Sequence, residues 1–137
     1  VEPNKYSLRL AKERAKNEEL DANLIKAALP YLPLGSEVID IVDLYWTLHQ
    51  IPDEHKLESL KEAHRILKPY GSLYSASFGD WGHMDMPNSI YPVREREDFI
   101  RLHTNAGFQL VTVKETFDKT MPFRYMWWSG KFQKISI

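Results

Sequence analysis

Residues 37–53 read EVIDIVDLYWTLHQIPD. Val38, Ile39, Ile41, Val42 and Leu44 occupy both faces of an extended segment, the pattern of a strand buried on both sides. The run ends in Tyr45, Trp46 and a polar stretch containing His49. Pro52 and Asp53 follow, and Asp53 is placed to cap a helix. Leu57, Leu60, Ala63 or His64, and Leu67 then recur at helical spacing. Pro69 and Gly71 predict the end of that helix. SLYSASF, residues 72–78, predicts a second strand.

Outward from this unit the same alternation continues. Towards the amino end, LPYLPLG (residues 29–35) reads as loop. Asn23–Ala28 is a candidate strand. Lys5 to about Glu19 predicts a helix, with Asn4 as its cap and Leu8, Ala11 and Ala15 on one face. Towards the carboxyl end, Gly79–Pro92 is rich in turn formers and aromatics and predicts a long loop. A third helix is expected from Arg94 to Asn105, with Phe99, Leu102 and Ala106 inward and Gly107 at its end. Phe108–Phe117 and Phe132–Ile137 are strand candidates with no helix between them, which predicts a terminal antiparallel hairpin. The whole reads as an α/β fold with a mainly parallel sheet.

Composition narrows the function. The chain has 137 residues, 43% hydrophobic and 27% charged, so it can build the core of one domain. A net charge of −1 with both signs interspersed argues against a nucleic-acid clamp. There is no Cys, which rules out a disulfide framework and thiolate chemistry. It permits a reducing compartment, and the cytoplasm is the expected location. No apolar stretch approaches the ~20 residues of a membrane helix.

The segments IDIVDLYWTLHQIPD, LKEAHRILKPYGSLY and NAGFQLVTV, in that order, resemble the class I S-adenosylmethionine-dependent methyltransferases. Ile39-Asp40, Leu48-His49, Pro52-Asp53 and Arg65-Ile66-Leu67-Lys68-Pro69 match that family's motifs in register. Tyr70 replaces the first glycine of a closing pair and Gly71 keeps the second. Ala106-Gly107-Phe108 matches a helix-to-strand turn. Glu2, Leu8, Ala11 and Lys12 fit the end of the family's second strand and the helix after it, and Leu32-Pro33-Leu34 fits a later loop. The resemblance implies a Rossmann-like three-layer sandwich with a carboxyl-terminal antiparallel hairpin. It implies methyl transfer from S-adenosylmethionine to an acceptor, expected to be a small molecule.

The family's first strand and glycine-rich cofactor loop have no counterpart here. Gly79 and Gly82 follow a different strand and open no helix. An amino-terminally incomplete domain is therefore expected, with an open slot in the sheet. A longer parent protein, a second copy filling the slot, or a rearranged sheet would each account for it. The missing initial Met favours the first. S-adenosylmethionine binding by this chain alone is expected to be weak. The rival function is a non-catalytic remnant acting as a scaffold or self-association module.

In open α/β sheets, ligands sit at the carboxyl ends of the strands. The resemblance implies cofactor contacts at Glu2, Pro3, Asn4, Ala28, Leu29, Asp43 and Leu44, with Glu2 on the ribose hydroxyls. Glu2 has a second reading, a solvated acid near a helix start. Ala28 stands where relatives carry an Asp beside the adenine amine. Asp43, Tyr45 and His49 are the catalytic candidates, since a base assists transfer if the acceptor carries a proton. Asp43 has an alternative as a carboxylate satisfied by backbone or Arg, and His49 as part of a structural turn. Trp81, His83 and Met84, with Met86, are placed as an acceptor-contacting loop. Asp80, His83 and Asp85 are ligand types, but no metal is expected from three such residues in one loop. Tyr125, Trp127 and Trp128 read as core or subunit packing, or as a substrate wall.

Overall fold

The computed structural model of the protein describes residues 1–79, 86–118 and 125–135. It divides into two compact units, Val1–Pro33 and Leu34–Ile137.

The first unit is built on helix α1, Lys5–Asn17. The Asn4 side-chain oxygen accepts from the backbone N–H groups of Tyr6 and Ser7, at 2.8 and 3.1 Å. The expected cap is therefore present, and it satisfies two donors that have no partner inside the helix. Arg14 and Lys16 lie in the last turn, where the helix dipole favours cations. Leu8 is the buried position of the expected apolar face. No strand forms at residues 23–28. That segment makes one backbone bond to the amino end, Glu2 N–H to the Ile25 carbonyl at 3.0 Å, and an isolated bridge joins Ala28 to Tyr31. Residues 1–4 are likewise outside any strand. A ladder needs several consecutive bonds, and neither segment has them.

The second unit is a four-stranded sheet with helices packed on it. Its elements are β1 (Ile39–Tyr45), a 3-10 turn (Leu48–Gln50), α2 (Asp53–Ile66), β2 (Leu67–Phe78), α3 (Arg96–Asn105), β3 (Phe108–Asp118) and β4 (Tyr125–Lys134). The strand order is β1-β2-β4-β3. β1 and β2 run parallel, joined through α2, while β4 is antiparallel to both β2 and β3. The expected α/β alternation and terminal hairpin are both present.

Period-two alternation sorts the sheet into two faces. Leu44, Leu73, Ser75, Ser77, Trp128 and Phe132 share the buried face with Leu60 and Ala63 of α2 and Phe99 and His103 of α3. Ile41, Asp43, Tyr45, Tyr74, Phe78, Trp127 and Lys131 lie on the other. Gly130 makes room for the core: a Cβ there would come within 2.7 Å of the Phe132 ring. The left-handed backbone at Gly107 (φ 103°) turns α3 into β3 against the His64 ring. At the end of α2, the buried Lys134 ammonium donates to the carbonyls of His64 and Leu67, at 3.0 and 2.8 Å.

Several sequence expectations change. β1 is not buried on both sides. It forms one edge of the described sheet, and Ile41 is 61% exposed. Asp53 is the first residue of α2, not its cap, which is Pro52. α2 ends at Ile66 and β2 begins directly, so Pro69 and Gly71 fall inside the strand label. The pairing moves from Ile39–Leu67 to Ile41–Ser72, and the intervening β2 residues bulge out. A bulge is where a strand tolerates a proline without a ladder N–H. α3 starts at Arg96, and Leu57 and Leu102 are half-buried. β4 begins at Tyr125, well before the expected Phe132, because the aromatic run pairs with the end of β2.

Candidate functional site at the carboxyl end of the parallel strands

β1 and β2 are parallel, so their carboxyl ends lie side by side. The chain leaves β1 through Tyr45 and Trp46. Trp46 has a left-handed backbone, φ 61°, a conformation that a bulky residue adopts only at a cost. Local hydrogen bonds hold it there. Asp43 Oδ1 accepts from Tyr45 N–H at 2.9 Å. Trp46 N–H donates to the Ala76 carbonyl at 3.2 Å, and Gln50 Nε2 donates to the Trp46 carbonyl at 2.7 Å. Thr47 N–H and Gln50 N–H close the turn onto the Leu44 and Thr47 carbonyls.

An aromatic bed surrounds this turn. The Trp46 ring lies 5.2 Å from Phe78, 5.5 Å from Trp127 and 6.1 Å from His49. His49 lies 4.4 Å from Phe78 and is buried at 3% exposure. Its Nδ1 accepts from the Phe78 backbone N–H at 3.4 Å, which puts the ring proton on Nε2. Burial, and then the nearby Lys56 ammonium, pushes the His49 pKa below its ordinary value. His49 is therefore held in the turn with its charged form disfavoured. Trp46 remains 40% exposed.

Lys56 clamps the segment that borders this bed. Its ammonium, nearly fully buried, donates to the carbonyls of Ile51 and Tyr91 at 2.6 and 2.8 Å and to Asp53 Oδ1 at 2.8 Å. Burial lowers the Lys56 pKa, and the bond from Asp53 opposes that fall. Tyr91 N–H donates to the His49 carbonyl at 2.7 Å, Val93 N–H to the Phe78 carbonyl at 3.0 Å, and Trp128 Nε1 to the Val93 carbonyl at 2.8 Å. Residues 91–93 are thus fastened to β1's turn, β2 and β4 together. Among the described residues no group of His, Asp or Glu has the makings of a metal site. No helix among them is long and apolar enough to cross a membrane.

Comparison with known proteins decides the family. A family model described as a methyltransferase domain matches residues 1–75. The chain belongs to the methyltransferase-domain family. Solved structures agree on the fold. A SAM-dependent methyltransferase of Methanosarcina mazei superposes with a TM-score of 0.83 at 18% identity, over 99% of this chain and 81% of that one. A Burkholderia thailandensis 1,6-didemethyltoxoflavin-N1-methyltransferase, with bound 1,6-didemethyltoxoflavin and S-adenosylhomocysteine, gives a TM-score of 0.73 at 17% identity, over 99% and 59%. The [4+2]-cyclase SpnF gives 0.84 at 13% identity, over 98% and 64%. The cyclase shows that this fold carries other reactions as well, so the site and not the fold must choose the chemistry. No curated protein sequence matches the chain.

In this methyltransferase domain, the expected residues fall as follows. Asp43 and Tyr45 are exposed on the open face, at the strand exit where they were expected. One oxygen of Asp43 serves the backbone. Leu44 points to the core. His49 sits beneath the aromatic bed. Within the first unit, Glu2 Oε1 accepts from Asn4 N–H at 2.9 Å, Asn4 caps α1, and the Ala28 carbonyl accepts from Tyr31 N–H. Trp81, His83 and Met84, with Asp80 and Asp85, lie outside the described residues, as does the side chain of Tyr125. Trp127 joins the bed, while Trp128 faces the core. Sequence reasoning missed Lys56, and it singled out neither Trp46 nor Phe78, although both stand at the carboxyl ends of expected strands.

Proposed function

We propose that this domain transfers a methyl group from S-adenosylmethionine to a small-molecule acceptor, with the acceptor held at the carboxyl end of β1. The carrying observation is the exposed trio Asp43, Tyr45 and Trp46 at the end of a parallel strand pair in a methyltransferase-family domain. A carboxylate beside electron-rich rings suits a sulfonium cation, so the residue types fit the cofactor. S-adenosylmethionine supplies the electrophilic methyl group. The protein's share is positioning. Asp43 and Tyr45 orient the acceptor, and the Asp43 carboxylate takes its proton where it carries one. On the first unit, Glu2 accepts from ribose hydroxyls, Pro3 and Asn4 fix that turn, and Ala28 and Leu29 serve the adenine. The Burkholderia neighbour, with bound 1,6-didemethyltoxoflavin, supports a small acceptor.

The test is a titration with S-adenosylhomocysteine, run beside transfer of labelled methyl from S-adenosylmethionine to small-molecule extracts. Saturable binding weaker than micromolar is expected, because the sequence has no glycine-rich loop to approach the cofactor closely. Label should enter a small organic product, and Asp43→Asn should slow transfer by roughly 10²-fold. Unchanged transfer in Asp43→Asn would remove Asp43 from the mechanism. A second reading, a self-association module, rests on the exposed apolar side chains of Ile41 in the edge strand and Val38 just before it. Concentration-dependent dimers with no cofactor binding would select that reading instead.

A further inference from the structure

The bed at the end of β1 has a shape that limits what it can hold. Trp46, Phe78 and Trp127 bring three rings within 5.5 Å of one another through Trp46, all on the open face of the sheet. The Trp127 and His49 rings meet Trp46 edge-on, and Phe78 is tilted against it. Trp46 is thus propped by its neighbours and by the hydrogen-bonded turn, and the exposed 40% of the residue is held in place as a fixed plate. An unneeded surface Trp would relax out of a left-handed backbone, which is a strained conformation for a bulky side chain. This one is instead fastened by Gln50 and Ala76. The plate needs no reorganisation to receive a ligand, which removes part of the entropic cost of binding.

The polar groups beside the plate are equally restricted. Asp43 and Tyr45 stand two residues apart on the same face of β1 as the bed. They offer a carboxylate and a phenol, which can accept from an N–H or O–H. Neither Lys nor Arg of the described residues bonds to this pair. Lys131, on the same face, lies over the Tyr74 ring at 5.7 Å and not against Asp43, so among the described residues an anionic acceptor would meet the carboxylate first. An aliphatic acceptor would fill the space without using the ring face, and offset stacking favours a conjugated ring.

We infer that the acceptor class is a flat, π-conjugated ring bearing an N–H or O–H, stacked on Trp46 with that group turned towards Asp43 and Tyr45. This deepens the methyl-transfer reading and rests on it for the reaction alone. Trp46 is then the specificity-determining residue. Stacking selects the ring, and the carboxylate selects its protic substituent.

The experiment is ligand-observed NMR binding of 6-hydroxyquinoline to the full chain, without cofactor, beside its saturated analogue decahydroquinolin-6-ol and choline. Binding of 6-hydroxyquinoline, read through its ring protons, is expected to exceed that of the saturated analogue by about tenfold and to be no weaker than that of choline. Trp46→Leu keeps apolar bulk and removes the ring, and it should weaken binding by a similar factor with an unchanged far-ultraviolet spectrum. Trp46→Phe should retain most of it. Equal binding of the saturated analogue, stronger binding of choline, or undiminished binding by Trp46→Leu would overturn the proposal. The two readings fail separately. Ring binding at Trp46 with no methyl transfer to any acceptor would leave the recognition intact and sink the reaction. Methyl transfer to aliphatic acceptors that is indifferent to Trp46 would leave the reaction intact and sink the recognition.

Discussion

Phe132 and Trp127 belong to the same strand and face opposite sides of the same sheet. Phe132 is fully buried, stacked on His103 at 4.0 Å and 5.9 Å from Phe99. Trp127 is half-buried against Trp46, which is itself open to solvent. On the helix-covered face the aromatics are held by close packing, with Trp128 also bonded to the Val93 carbonyl. On the open face they are held by a strained, hydrogen-bonded turn, and packing is left incomplete. The first arrangement stores stability, and the second, on our proposal, presents a binding surface. Substitutions on the two faces should therefore read out in different measurements.

The largest effect belongs to the packed face. Phe132→Ala would leave a cavity bounded by His103, Phe99 and Leu73, which cannot collapse because α3 and two neighbouring strands frame it. A loss of about 3–5 kcal/mol is expected in urea unfolding of the chain. A loss below about 1 kcal/mol would mean that this face is loosely packed and that the contrast between the faces is false.

Acid should break the packed face next. His103 has no exposure, and its Nδ1–H donates to the Phe99 carbonyl at 2.7 Å. Its Nε2 has no partner. Burial drops its pKa from 6.5 to about 4, with the bond to Phe99 opposing the fall. As pH falls below 6.5 the unfolded chain takes up a proton that the native chain refuses. The native state is then disfavoured progressively until pH reaches about 4. The full loss is about 3 kcal/mol at one pKa unit per 1.36 kcal/mol. His103→Leu keeps the bulk, removes the orphan nitrogen and should flatten that part of the profile. His49 and His64, also lowered by burial, contribute in the same direction and remain in the variant. An unaltered slope in His103→Leu would assign the acid sensitivity to them.

The packed face was also the legible one. Leu60, Ala63 and Phe99 announce themselves by helical spacing, and Asn4 by its cap position. The strand cores of β1, β2 and β3 follow from apolar runs between turn residues. These are local signals, and local geometry realises them. What the sequence concealed depends on neighbours far along the chain. An apolar run does not say whether anything covers it, so Ile41 and Val38 read as buried and are exposed. Lys56 on a helix reads as a solvated cation, and its burial depends on the Ile51 and Tyr91 carbonyls. The site was half legible. Asp43 and Tyr45 follow from the rule that ligands meet the carboxyl ends of strands. The company of Trp46, Phe78 and Trp127 requires β4 to insert between β2 and β3, and no residue pattern states that order.

The smallest stability effect, and the sharpest contrast, is expected at Trp46. Trp46→Asn removes a ring from the open face and places there a residue that tolerates left-handed backbone. Relief of about 1–2 kcal/mol of backbone strain offsets the lost contacts of a ring that is already 40% exposed. Unfolding stability should stay within about 1 kcal/mol of the parent chain, in contrast to Phe132→Ala. The same substitution should abolish ring binding, because the plate is gone while the Asp43–Tyr45 hydrogen bond two residues upstream is untouched. Urea unfolding and 6-hydroxyquinoline binding measured on one sample of Trp46→Asn would separate the two faces. A loss of stability comparable to Phe132→Ala would make Trp46 a core residue that happens to be exposed, and the open face would then be an extension of the packed one.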